Sequence, residues 1–225
     1  TVSTSSNFNI NGNFTHNAGS GTFSATSGTI TFGGSDAASI TVTQPTTFYS
    51  LAINKSAAVT VSTSWSTTLP GSFSNAGSGS FSGASITFTG SAAASISHTS
   101  SGTTTFSGNM VIDKTAATLT FSQSGGAFTV QGNVTNQNSG TFDMTGGTLT
   151  VQGNITNTGT AKWITSAGTP TVAMTGSAAA TITNDSTAAS PQLVFFNLTI
   201  NKSAAVTVSA SGDFNVNGNF TNSGK

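Results

Sequence analysis

The chain has 225 residues, of which 43 are Thr, 36 Ser and 26 Gly; this composition disfavours helix, and the absence of Cys removes disulfide frameworks and thiolate metal sites. Charged residues make up 4%, five Lys and five Asp with no Arg or Glu, for a formal net charge of zero. A disordered polyelectrolyte is excluded, nucleic acid is not an expected partner because scattered lysines cannot neutralise a run of phosphates, and no apolar run approaches the roughly 18 residues of a membrane helix.

The elements begin at once. Phe8, Ile10, Gly12 and Phe14 alternate with Asn7, Asn9, Asn11, Asn13 and Thr15, the period of two that marks a strand with one buried face. Asn17-Ala-Gly-Ser-Gly21 reads as a corner and recurs at 75–79. Gly34-Ser-Asp-Ala-Ala-Ser-Ile40 recurs at 90–96 and 176–182, and Phe48-Tyr-Ser-Leu-Ala-Ile-Asn-Lys-Ser-Ala-Ala-Val-Thr-Val-Ser62 returns at 195–209, with a weaker copy at 106–117. The repeats define modules close to 59 residues: 1–59, 60–117, 118–206 with an extra coil, and a partial copy at 207–225. Within the third, Val130-Gln-Gly-Asn-Val-Thr-Asn136 is followed 21 residues later by Val151-Gln-Gly-Asn-Ile-Thr-Asn157, the length of one solenoid coil.

Short alternating runs punctuated by Gly-Ser, Gly-Gly, Asn-Ala-Gly and Ser-Ala-Ala corners predict an all-β chain forming one domain over 1–225. The expected fold is a β-solenoid, or parallel β-helix, of about eleven coils of roughly 20 residues, a rod ~50 Å long at ~4.8 Å per coil. β-Sandwich modules are the alternative, but they predict no coil-length duplication. Stacked coils put like side chains above one another, so low charge avoids repelling columns while outward Asn and Thr can form hydrogen-bonded ladders.

Residues 1–19 and 207–225 are copies at a constant offset of 206. No polar cap is legible at either end, and uncapped end coils present unpaired backbone and open apolar columns. The expectation is an excised window of a longer array or a subunit whose ends meet head to tail, a contact that does not close. The residues expected to form those ends are Thr1, Val2, Phe8, Ile10 and Phe14 at one and Phe214, Val216, Phe220 and Lys225 at the other.

The string Phe-Tyr/Phe-x-Leu-x-Ile-Asn-Lys-Ser followed by Val-x-Val, with Gly-Asn-Phe-Thr-Asn and Thr-Phe-x-Gly-Ser, resembles the repeats of large secreted or surface-displayed β-solenoid proteins of prokaryotes, the filamentous-haemagglutinin-like and adhesin-like group. The resemblance spans essentially the whole chain. It implies an extracellular or cell-surface setting and an adhesion, matrix or fibre role.

Chemistry is sparse. Asp36, Asp113, Asp143, Asp185 and Asp213 are never paired locally and read as turn and strand-end residues, while His16 and His98 stand alone in polar corners. Neither catalysis, a metal nor a cofactor is expected. Lys55 and Lys202, in Ile-Asn-Lys-Ser-Ala-Ala, share phase with the inward Leu51, Ile53, Leu198 and Ile200; the expected arrangement is a corner from which the ammonium reaches water. Trp65 and Trp163 are expected to fill core. Among the N-glycosylation sequons, Asn13, Asn133, Asn154 and Asn219 fall in the same outward phase of equivalent strands, so that sugars could decorate one face.

The function expected is therefore a structural subunit or segment of an extracellular filament or matrix fibre. Its expected partners are copies of itself, with a cell surface or matrix polysaccharide as the second class. The alternative is a surface adhesin, or an ice- or carbohydrate-binding solenoid using a flat Thr-rich face. Thr-x-Thr recurs at 29/31, 41/43, 118/120, 148/150 and 181/183, at separations too irregular for one column.

Overall fold

The computed structural model describes residues 2–17, 19, 21–190 and 192–225. Among them the regular elements are thirty β-strands of two to six residues, with no helix. The cause is local. Thr, Val, Ile and Phe alternating with small polar residues suit a pleated surface, and Gly, Asn and Ser-Ala-Ala corners stop each run within a few residues.

The strands pair in parallel, each with the third strand before or after it, with one break in the ladder on each of two faces. Three strands thus complete one coil, and the chain is a parallel β-solenoid with three faces. The third face is an unbroken ten-stranded sheet from Phe14–His16 to Phe220–Asn222. The second carries eight strands from Phe8–Ile10 to Lys162–Ile164, then passes through the Trp163–Leu193 bridge to Val194–Phe195 and Asn215–Val216. The first face begins with the three strands Val2–Thr4, Phe23–Ala25 and Thr46–Thr47, and resumes as seven from Thr67–Leu69 to Val208–Ser211.

Coil size corrects the reading from sequence: there are about nine coils of roughly 23 residues, not eleven of 20. The ten strands of the third face are separated by nine steps, so the rod is ~43 Å long rather than ~50 Å. The error came from dividing a module into whole coils. From Ser50–Lys55 to Met110–Lys114 the chain advances eight strands, two and two-thirds turns, so successive modules are rotated by a face. Ile53-Asn54-Lys55 lies on the second face, Ile112-Asp113-Lys114 on the first, and Ile200-Asn201-Lys202 ends the third. The offset of 206 residues is different, because it spans 27 strands. That is nine whole turns, and it returns residues 207–225 to the faces occupied by 1–19.

The duplicated segments at 130 and 151 stack as adjacent coils, Val130 beneath Val151 and Val134 beneath Ile155. The core is a set of such columns. Ile30, Leu51, Phe73, Ile96 and Phe121 stand in register on the second face, all buried. A chain of ring contacts runs Phe121–Phe142–Trp163–Phe195–Phe214, with centroids 4.8–6.3 Å apart.

Candidate assembly surfaces and polar corners

Corners are where a solenoid must solve a hydrogen-bond problem, because carbonyls that leave the ladder and turn inward need a donor. Here lysine supplies it. Lys55, Lys114 and Lys202 are all buried, which corrects the expectation that Lys55 and Lys202 reach water. Lys114 Nζ donates to the carbonyls of Thr89 at 2.6 Å, one coil below, and Pro70 at 2.9 Å, two coils below. Lys202 Nζ does the same to Thr175 at 2.6 Å and Gln152 at 3.0 Å, and Lys55 Nζ donates to the Gly33 carbonyl. Burial pushes all three ammonium groups below the ordinary lysine value, for Lys55 against the pull of Asp36. The next coil closes over each lysine with a glycine. A Cβ at Gly79 or Gly140 would strike the Cβ of Lys55 or Lys114, and one at Gly224 the backbone of Lys202. Gly77, at φ 74°, and Asn138, at φ 71°, make the same left-handed bend two residues before Gly79 and Gly140.

A second polar device starts one coil above each lysine strand. Asn75 stands over Ile53, Asn136 over Ile112 and Asn222 over Ile200. On the first face this opens a buried amide column: Asn136 Nδ2 donates to Asn157 Oδ1 at 2.9 Å and Asn157 Nδ2 to Asn184 Oδ1 at 3.0 Å. The same amides serve the Lys162, Ala161, Gln192 and Asp213 carbonyls. On the second face the column is Asn75, His98 and Gln123. His98, read from sequence as a lone histidine in a polar corner, is buried, and Thr104 Oγ1 meets both its Nδ1, at 3.0 Å, and Asn75 Nδ2, at 3.0 Å. Burial lowers the His98 pKa, partly opposed by the Gly102 and Gly126 carbonyls. These interior amides were not anticipated. Their signal was present: strands repeatedly end in an inward Asn, His, Gln or Lys, as in Val134-Thr-Asn136 and Ile155-Thr-Asn157.

Outside, Asn side chains form the anticipated ladders, each Oδ1 accepting the backbone N–H of the next coil. Asn13 accepts from Ser39, Asn133 from Asn154 and Asn154 from Thr181, each at 2.8 Å, and Asn197 from Asn219 at 2.9 Å. The four sequon residues split between faces: Asn13 and Asn219 precede strands of the third, Asn133 and Asn154 strands of the first. Trp163 is buried and Trp65 half-buried, edge-on to Phe48 at 5.4 Å. His16 Nδ1 meets Thr46 Oγ1 at 2.7 Å. Asp143 is bound by Ser166, whose N–H and hydroxyl donate to its two carboxylate oxygens. Among the described residues no three His, Cys, Asp or Glu side chains gather.

Among the described residues the exposed large hydrophobic side chains lie on the two end coils. Val2, Phe8 and Phe220 are 61%, 49% and 63% exposed, while Ile10 and Phe14 at one end and Phe214 and Val216 at the other are half-buried. A cavity of about 340 Å³ opens at the second end between Leu198, Ile200, Val208, Phe214, Phe220 and Lys202, with exposed Lys225 on its rim. Thr1 lies outside the described residues. Comparison with protein-family models, curated proteins and solved structures finds no match to this chain.

Proposed function

We propose that the chain is a structural protein, a β-solenoid rod that assembles head to tail into an extracellular filament or matrix fibre and performs no catalysis. The observation that carries this reading is that the exposed large hydrophobic side chains among the described residues lie on the end coils, Val2 and Phe8 at one end and Phe220 with its cavity at the other. Fully burying such a side chain is worth ~1.5–3 kcal/mol, and a contact between unlike ends propagates instead of closing. Low charge supports the same reading, since stacked copies bring few like charges together. The resemblance of the repeats to secreted and surface-displayed solenoids fits an extracellular setting. Electron microscopy of the purified chain tests it. Fibres with an axial repeat of ~43–48 Å are expected; a chain that sediments as a monomer at high concentration overturns it.

One observation favours a second reading, a binding face. The Thr-x-Thr pairs divide among all three faces, yet outward hydroxyl columns stand in register, Ser39, Ser62, Ser82, Thr105, Thr129 and Thr150 on the third face and Thr135, Thr156, Thr183 and Ser211 on the first. Hydroxyls at ~4.8 Å spacing suit ordered water or a polysaccharide. Thermal hysteresis, or glycan binding lost in Thr129→Lys, would select this reading.

A further inference from the structure

Resting on the fibre reading, the geometry points to one particular joint: the first coil of a second copy of this chain stacks, unrotated, on the last coil of the preceding copy. Phe8 then lies over Phe214, Phe14 over Phe220 and His16 over Asn222.

Phase comes first. The last three strands, Val208–Ser211, Asn215–Val216 and Phe220–Asn222, lie on the first, second and third faces in turn. The first three strands of the chain occupy the same faces in the same order, so an arriving copy continues all three without a skipped face. The polar column supplies the specificity. Asn75 and Asn136 each stand over the isoleucine of a lysine strand, each is fully buried, and each is covered by a polar residue of the next coil, His98 or Asn157. Asn222 occupies the same position over Ile200 but is exposed. His16 of the arriving copy covers it, repeating the Asn75–His98 step. The outer ladder runs through as well. Asn197 accepts the Asn219 N–H and Asn13 accepts the Ser39 N–H, so Asn219 Oδ1 meeting the Asn13 N–H joins the two staircases. The joint is thus continuous with the interface that each coil already makes with the next.

Because the chain contains no cysteine, introduced pairs report the joint directly. Thr15 and Thr221 are outward residues of the third face, and stacking sets their Cα atoms ~4.8 Å apart, within disulfide reach. The variant carrying Thr15→Cys and Thr221→Cys, oxidised as assembled fibres, is expected to give a ladder of covalent multimers on a non-reducing gel, with an axial repeat of ten strand layers, nine steps within the chain and one across the joint, ~48 Å. If residues 1–19 instead displace their copy at 207–225, Thr15 falls beside Thr199, which pairs with Thr221 within the chain. Thr15→Cys with Thr199→Cys then gives the ladder, and the repeat shortens to nine strand layers, ~43 Å. A ladder from Thr15→Cys with Ser209→Cys, on the first face, means a rotated joint. Either result, with fibres present, overturns the proposed joint and leaves the fibre reading standing. Absence of fibres for the unmodified chain overturns both.

Discussion

Lysine burial at three corners sets a pH dependence with a definite sign. In the folded chain the ammonium groups of Lys55, Lys114 and Lys202 titrate below 10.5, so between that lowered value and 10.5 the unfolded chain holds more protons. Stability therefore rises with pH across this window. The rise shrinks in Lys114→Met, which also loses ~1–3 kcal/mol at neutral pH because the Thr89 and Pro70 carbonyls lose their donor. His98 acts at the acid side. Its folded pKa lies below 6.5, so stability is fully present above pH 6.5 and falls as the pH drops from there toward the folded value. Denaturant titrations at a series of pH values should show this acid limb in the native chain and a flatter one in His98→Gln.

At the scale of the coil, two devices keep neighbours in register. Glycine roofs let one coil close over the lysine of another, so Gly140→Ala should cost ~1–3 kcal/mol by overpacking against Lys114, measured by thermal unfolding. The amide column holds three further coils. Asn157→Leu leaves the Ala161 and Gln192 carbonyls without this donor and should cost a similar ~1–3 kcal/mol. Alternation made the strands legible beforehand, and the 21-residue duplication made the stacking legible. The inward end of each strand was harder to read, because Asn136 and Lys114 look like corner residues by type. Only the carbonyls gathered around them from one and two coils away explain why polar groups sit inside.

For the whole rod, assembly and folding should separate. Phe220 is exposed in the isolated chain, so Phe220→Asp is expected to leave the unfolding midpoint nearly unchanged while raising the concentration needed for fibres at least tenfold, read by sedimentation. Loss of ~1.5–3 kcal/mol of burial at each joint corresponds to that factor or more. An unchanged threshold would place Phe220 outside the joint.

Legible in the residues alone were the all-β class, the parallel solenoid, the approximate coil length, the inward Phe and Ile columns and the likeness of the two end coils. These follow from alternation with a period of two and from corner residues, both local in the chain. How many coils there are, which face each copy of a motif occupies, and the burial of three lysines and a histidine emerge only from the packed chain. What stands above a residue depends on the summed lengths of three strands and three corners. Which face a copy occupies depends on the number of strands between copies: eight strands leave modules of similar sequence a third of a turn apart, while the 206-residue repeat, 27 strands and nine whole turns, comes back into phase.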